Sequence, residues 1–129
     1  MRILFDTNVL IAAFLSNGSC YELVQSAVSA HEVFYTQYVL REFHHNFKAK
    51  FKFSTSVIQG MTVFIEKHFQ EGVTGKSIPD CCRDKDDNHI LADAEANSIE
   101  VIITGDKDLL VLKQYKGIKI ISPKEYWLL

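Results

Sequence analysis

Cysteine is scarce in this 129-residue chain, and its arrangement does not support a disulfide framework or a zinc site. There are three cysteines, two of them adjacent (Cys81 and Cys82), and no C-x-x-C pair occurs. Disulfide-dependent secreted domains usually pair an even number of cysteines, and structural zinc sites usually draw on close cysteine pairs. The five histidines also lack the i, i+4 spacing of a helical zinc site. We therefore expect a protein of the reducing cytoplasm without structural zinc.

Long hydrophobic runs are missing as well. No apolar stretch reaches the roughly 20 residues that a membrane-spanning helix requires, and the acidic Asp6 comes too early for a signal peptide. The sequence has no repeat, low-complexity tract or linker, and its 47% hydrophobic and 23% charged residues argue against disorder. The chain length favours a single domain over residues 1–129 and no membrane association.

The net charge of −2 gives no reason to expect nucleic-acid binding, but the charges are unevenly distributed. Residues 41–53 contain four Lys or Arg and one Glu, whereas residues 80–108 contain nine Asp or Glu and three Lys or Arg. A polyanion could bind the first segment, and the second would repel it unless cations intervene.

Short apolar runs alternate with stretches of helical spacing, which predicts a parallel α/β sheet covered on both faces. The predicted strands are residues 2–5, 32–36, 100–103 and 118–121. Predicted helices begin near Val9 and Gly18 and cover residues 37–52, 55–69, 86–97 and 109–113, with Ser54 or Thr55 capping the second of these ranges. Residues 70–83 read as a loop with room for a short edge strand, and a final turn begins at Pro123.

Acidic residues follow two of the predicted strands and begin one helix. Asp6 comes directly after one strand segment and Asp106 follows another after Thr104 and Gly105, at the sheet edge where chemistry collects in parallel α/β proteins. Asp87 shares a helical face with apolar residues at i+3, i+4 and i+7 and should point towards the sheet, whereas Asp93 falls off that stripe. Glu42 stands early in a helix beside two apolar residues. We expect these acids to converge at one edge of the sheet.

Converging carboxylates repel one another by about 4 kcal/mol per pair at 4 Å and an effective dielectric near 20. A divalent cation would offset that cost, and ligation by oxygen alone favours Mg²⁺ or Mn²⁺. Several acids also have a simpler interpretation. Asp6 could cap the following helix, Asp108 could cap the next short helix, Asp84, Asp86 and Asp87 suit a helix N-terminus, and Glu42 could be solvated.

Four motifs together resemble the PIN-domain proteins of the VapC-type toxin ribonuclease group. They are residues 4–10 (LFDTNVL), 38–43 (YVLREF), 83–88 (RDKDDN) followed by Ile90, Leu91 and Ala94, and 103–110 (ITGDKDLL). The resemblance spans most of the chain. It implies a three-layer α/β/α fold with a twisted, mainly parallel sheet.

The resemblance also implies a set of functional residues and partners. The acidic quartet would be Asp6, Glu42, Asp87 and Asp106, and Asn8 and Thr104 match supporting polar positions. The implied activity is that of a Mg²⁺- or Mn²⁺-dependent ribonuclease, dimeric and silenced by an antitoxin encoded beside it. Two positions stay open, because Asp86 neighbours Asp87 and Asp108 follows Asp106 closely. Helical phase favours Asp87, and direct succession to the strand favours Asp106.

The basic segment admits two interpretations. Arg41, Lys48, Lys50 and Lys52 alternate with Phe43, Phe47, Phe51 and Phe53. Such a helix could contact RNA phosphates and stack bases, or it could bury its Phe residues and leave its Lys residues solvated. We favour burial for the Phe residues. Lys48, Lys50, Lys52 and Lys107 stay candidate RNA contacts.

These observations lead to one main hypothesis and three alternatives. The main hypothesis is hydrolysis of RNA phosphodiester bonds by a metal-dependent endoribonuclease that is the toxin of a toxin–antitoxin pair. A stand-alone RNA-processing or structure-specific nuclease would use the same site. A non-catalytic RNA-binding or interaction module is the alternative from another class, and an intact acidic quartet disfavours it. An aspartyl phosphatase is disfavoured because Asn8 occupies the place of its second Asp.

Overall fold

The computed structural model describes residues 1–15, 18–51 and 55–129, with the backbone alone at residues 50 and 51. Its strands are β1 (Arg2–Phe5), β2 (Glu32–Tyr35), β3 (Gln70–Glu71), β4 (Val101–Ile103), β5 (Gln114–Tyr115) and β6 (Ile118–Ile121). Its helices are α1 (Thr7–Leu15), α2 (Ser19–Ala30), α3 (Gln37–Phe51), α4 (Thr55–His68), α5 (Asp87–Ala96), α6 (Lys107–Leu110) and α7 (Pro123–Tyr126).

The strands form one sheet in the order β3-β2-β1-β4-β6-β5, and every pairing except β5 with β6 is parallel. Helices flank the sheet in a three-layer α/β/α arrangement, which confirms the predicted fold class. The central strands are continuous apolar runs because both of their faces are covered. Residues 3–5 of β1 and 101–103 of β4 are at most 1% exposed.

The strand order reverses at the centre of the sheet. The chain proceeds from β1 outwards through β2 to β3 and then returns to place β4 on the opposite side of β1. The loops that follow β1 and β4 therefore leave the sheet in opposite directions. The crevice between such loops is where ligands bind in open α/β sheets. Asp6 and Thr104 directly follow these two strands.

The core explains the aromatic residues of α3. Phe43 and Phe47 are fully buried, and Phe14 of α1 packs edge-on against Phe43. The favoured interpretation of these two Phe residues as core is therefore correct. Ser54, one of the two predicted caps for the next helix, lies outside the described residues, and Thr55 is the first residue of α4.

Two features differ from the sequence-based expectation. The sequence patterns did not predict the hairpin of β5 and β6. Its turn places Lys116 at a φ of 49° and Gly117 at a φ of 83°. Lysine rarely occupies such a turn position, so the sequence contains no clear turn signal there. Asp93 falls off the apolar stripe of α5 and yet is only 1% exposed. Its two carboxylate oxygens accept hydrogen bonds from Thr36 Oγ1 at 2.5 Å and from the Gly75 N–H at 2.7 Å.

Within the described parts of the chain, no helix combines the length and the apolar character needed to cross a membrane.

Candidate active site

A cavity of about 380 Å³ lies at the carboxyl edge of the sheet. Six carboxylate side chains line it: Asp6, Glu42, Asp84, Asp86, Asp87 and Asp106. The other lining residues are Thr7, Asn8, Tyr38, Val39, His45, Asn46 and Ile90. The structure therefore brings the four acids of the predicted quartet together around one space, although they come from four separate segments. No Lys or Arg of the described chain is among the lining residues.

Asp6 is held at the end of β1 by hydrogen bonds to both of its oxygens. Its Oδ1 accepts from the Thr7 N–H at 2.8 Å, and its Oδ2 accepts from Thr104 Oγ1 at 2.7 Å. Burial raises the pKa of this carboxyl, an effect that the two hydrogen bonds oppose and that the nearby charges of Asp106 and Glu42 reinforce. The side chain is thus fixed in orientation and sits in a field that disfavours further negative charge.

Thr104 connects two acids of the cavity. It is fully buried after β4, donates its hydroxyl proton to Asp6, and accepts the Asp106 N–H at 3.0 Å. Asp106 in turn caps α6, because its Oδ1 accepts the Asp108 N–H at 2.8 Å. The capping role considered for Asp108 therefore belongs to Asp106. Asn8 also faces the cavity and is exposed.

Asp87 has the least satisfied carboxylate of the site. Its Oδ2 is the only buried side-chain nitrogen or oxygen without a hydrogen-bond partner among the residues that the structure describes. Burial raises the pKa of Asp87 to about 7, and interaction with Asp106 and the charges of Asp84 and Asp6 act in the same direction. A buried carboxylate oxygen in this position requires either a proton or a cation.

Carboxylate oxygens of Asp87, Asp106 and Asp108 all lie within 4.8 Å of one another. This spacing fits a divalent ion bound by oxygen ligands, and the orphaned Oδ2 of Asp87 supplies an open ligand atom. Asp108 is not among the residues that line the cavity, and Arg83 binds both of its oxygens. The residues present therefore fit a divalent ion bound by oxygen ligands, with Asp87 and Asp106 as the donors that also line the cavity.

Glu42 reaches the cavity from α3 and is oriented by an aromatic neighbour. The Tyr38 hydroxyl donates to Glu42 Oε1 at 3.0 Å, and the Tyr38 ring stacks on His89 of α5 with the ring centres 4.7 Å apart. Burial and this hydrogen bond raise the pKa of Tyr38, which therefore stays protonated as a donor at neutral pH. Glu42 is half-buried, so the solvated-helix interpretation does not hold for it.

Asp86 and Asp84 lie at the mouth of the cavity. Both are exposed, and Asp84 Oδ1 accepts the Asp86 N–H at 3.0 Å. Asp87 lies deeper than Asp86, as helical phase predicts.

Sequence reasoning missed Tyr38, His45 and Asn46 as lining residues. Their positions at i−4, i+3 and i+4 from Glu42 are the signal that could have found them.

The candidate RNA-contacting lysines are separate from this cavity where the structure describes them. Lys48 is exposed and lines a different groove, between α3 and α4. The Lys50 side chain and all of Lys52 lie outside the described residues. Lys107 is exposed at the start of α6, next to Asp106.

The fold and the motifs agree with comparisons to known proteins. A PIN domain family model matches residues 2–108. The structure also resembles the crystal structure of VapBC2 from Rickettsia felis bound to a DNA fragment from their promoter, with a TM-score of 0.68 and 13% sequence identity over 95% of this chain and 98% of that chain. Among curated protein sequences, none matches. Because the family model covers most of the chain, the protein belongs to the PIN domain family.

Proposed function

We propose that this protein is a cytoplasmic Mg²⁺- or Mn²⁺-dependent endoribonuclease, the VapC-like toxin of a toxin–antitoxin pair. The observation that carries the proposal is the carboxylate cavity at the switch point of the sheet, with the unpartnered Oδ2 of Asp87 inside it. Membership of the PIN domain family supports nuclease chemistry. The metal and the RNA substrate are the specific part of the proposal.

Asp6, Asp87, Asp106 and Glu42 would hold the ion or ions. When bound, a divalent cation lowers the pKa of water and offsets the charge that develops on a phosphate during hydrolysis. Thr104 keeps Asp6 and Asp106 in register through its two hydrogen bonds, and Tyr38 holds Glu42. Asn8, at the cavity wall, would orient a water molecule or a carboxylate.

The negative charge of the cavity predicts that a phosphate enters the cavity itself only when a cation is bound there. Six carboxylates without a lining Lys or Arg in the described chain would repel an RNA phosphate. RNA that binds without a cation would therefore contact residues outside the cavity. Lys107, at the edge of the cavity, is a candidate phosphate contact outside the repulsive centre.

The antitoxin is part of the proposal because of the structural neighbour. That neighbour was crystallised as VapBC2 with promoter DNA, and the likeness to it covers nearly the whole of both chains. We further propose that this chain forms a homodimer and is silenced by a small partner protein encoded beside it. A stand-alone nuclease would have the same cavity and no such neighbouring gene.

The direct test is cleavage of single-stranded RNA by the purified protein. We expect cleavage in Mg²⁺ or Mn²⁺ that EDTA stops, and Asp87→Asn should eliminate it because the amide removes the charge that binds the ion. Asp86→Asn should cost much less, since Asp86 is exposed at the mouth. Asp80→Asn, an exposed acid outside the cavity, is the matched control. Full activity of Asp87→Asn with an intact fold would contradict the proposed site.

A further inference from the structure

Asp108 belongs to a group of three acids in the described chain that could hold a metal ion, and it is also paired with an arginine. Its carboxylate lies within 4.8 Å of those of Asp87 and Asp106, but it is not a lining residue. Arg83 binds it through two parallel hydrogen bonds, from Nε to Oδ1 at 3.0 Å and from Nη2 to Oδ2 at 2.7 Å. Both oxygens of a potential metal ligand are therefore occupied by a guanidinium.

The geometry places Arg83 in competition with a cation at the site. The Asp108 N–H already bonds Asp106 Oδ1 at 2.8 Å, so the two residues are fixed side by side. The Asp108 carboxylate already lies within 4.8 Å of those of Asp106 and Asp87, so an ion held by these two residues would compete with the guanidinium for it.

Arg83 can also bind a second anion. Its side chain is 82% exposed, whereas that of Asp108 is 23% exposed. The planar guanidinium has five N–H donors, of which Asp108 takes two, and phosphate is a preferred bidentate partner of arginine. An RNA phosphate can therefore reach the guanidinium of Arg83 from solvent and compete with Asp108 for its N–H donors.

We propose that Arg83 is a positioning residue that withholds Asp108 from the metal until an RNA phosphate engages the guanidinium and frees the carboxylate. The inference rests on the proposed function, since it requires a metal at the cavity. Metal and RNA then both favour the arrangement in which Asp108 is released from Arg83. Two ligands that favour the same arrangement raise each other's affinity by the same factor.

The first test is a calorimetric titration of Mn²⁺, without RNA, into wild type, Arg83→Gln, Asp108→Asn and the double variant. Arg83→Gln should bind Mn²⁺ about tenfold more tightly because it releases Asp108, an effect equivalent to roughly 1.4 kcal/mol. Asp108→Asn should match wild type, in which Asp108 is withheld. The double variant should not show the increase in Mn²⁺ affinity that Arg83→Gln shows. Lys85→Gln, which removes a nearby exposed charge without contacting Asp108, measures the effect of charge alone.

The outcomes separate this inference from the proposed function. If wild type binds Mn²⁺ and Asp87→Asn abolishes binding, the metal site stands. An affinity of Arg83→Gln no higher than that of Lys85→Gln would then overturn the role of Arg83 alone. The same gain with and without Asp108 would overturn it too, since the cause would be charge. Absence of Mn²⁺ binding by wild type would overturn both.

The second test addresses the phosphate. Binding of single-stranded RNA in EDTA should weaken in Arg83→Gln, and its log–log salt slope should fall by roughly 0.7, as expected when one phosphate is no longer neutralised. Asp108→Asn should bind RNA at least as well as wild type, because it frees the guanidinium. Unchanged affinity and slope in Arg83→Gln would overturn the phosphate step.

Discussion

Single side chains at the cavity combine negative charge with restricted solvation. Asp6 is held by two hydrogen bonds, whereas the buried Oδ2 of Asp87 has no partner. Burial raises the pKa of both carboxyls, and in Asp6 the two hydrogen bonds oppose this effect. The site is therefore under electrostatic strain that a bound divalent cation would relieve.

Metal ions should stabilise the fold through these residues. A ligand that binds only the native state, present at 100 times its Kd, stabilises by about 2.7 kcal/mol. That corresponds to a rise in Tm on the order of 10 °C for a chain of this size. We expect millimolar Mg²⁺ or Mn²⁺ to raise the Tm of wild type and of Asp80→Asn in differential scanning fluorimetry. Asp6→Asn and Asp106→Asn should lose this response, and an equal rise in all four proteins would refute a shared site.

The metal-free protein should lose stability as the pH rises towards neutrality. The pKa of Asp87 is about 7 in the folded chain against 3.8 ordinarily, so the folded state holds a proton that the unfolded state releases. The stabilising contribution is complete below the unfolded value and is lost as the pH passes through 7. Asp6 and Asp93 have raised pKa values of the same sign. Urea unfolding in EDTA at pH 5 and pH 8 should show a smaller decrease for Asp87→Asn than for wild type.

At the scale of helices and strands, α5 links the cavity to the rest of the sheet. Asp87 begins this helix at the cavity, and Asp93 near its other end bonds Thr36 after β2 and Gly75 in the preceding loop. Gly75 lies so close to this helix that a Cβ there would collide with the Ala92 backbone. Asn97 continues the attachment, since its side chain bonds both the N–H and the C=O of Val73.

Removal of the Asp93 carboxylate should therefore destabilise the fold. Asp93→Ala leaves the Gly75 N–H and the Thr36 hydroxyl without their buried acceptor, at a cost of about 3 kcal/mol in the free energy of unfolding. Glu95→Ala, on the same helix, removes an exposed ion pair with Lys116 and a 3.5 Å hydrogen bond from the Tyr115 hydroxyl, and it should cost less than about 1 kcal/mol. Chemical denaturation of the two variants checks the contrast. Equal losses would mean that the Asp93 contacts do not anchor α5.

Sequence patterns were sufficient for the elements that bury continuous apolar faces. Residues 3–5 of β1 and all of β4 are apolar, and α5 follows from its apolar stripe, so the acids attached to them could be placed at one edge. Patterns failed where a contact depends on distant residues. Asp93 is buried because it accepts hydrogen bonds from Thr36 and Gly75, and Asp108 is paired with Arg83. None of these contacts produces a periodic pattern in the sequence.

At the scale of the molecule, charge is segregated by location. The acids collect at the switch point of the sheet, and the described part of the basic segment extends along α3 to Lys48 in a separate groove. A long RNA could thus bind the basic segment with some nucleotides while one phosphate enters the acidic cavity. Counterion release from the basic segment would supply affinity without contributing to the chemistry.

Replacement of Lys48, Lys50 and Lys52 by Gln tests this division. RNA binding should weaken, and the log–log salt slope should fall by roughly 0.7 for each phosphate that these side chains neutralise in wild type. The Tm response to Mn²⁺ should stay as in wild type, since Lys48 does not line the cavity. An unaltered slope would assign these lysines to a solvated face and place the RNA path elsewhere.

In the proposed function, metal-activated water in the carboxylate cavity hydrolyses RNA. The chemical nature of the ends of the cleaved RNA is the direct test of this mechanism. Attack by water leaves a 5′-phosphate on the downstream fragment and a 3′-hydroxyl on the upstream fragment. Attack by the ribose 2′-hydroxyl would leave a cyclic phosphate and needs no metal. End-group analysis of products formed in Mn²⁺ should therefore find 5′-phosphates, and none of these products should form in EDTA. Cyclic phosphate ends, or cleavage that persists in EDTA, would contradict hydrolysis by metal-activated water at this cavity.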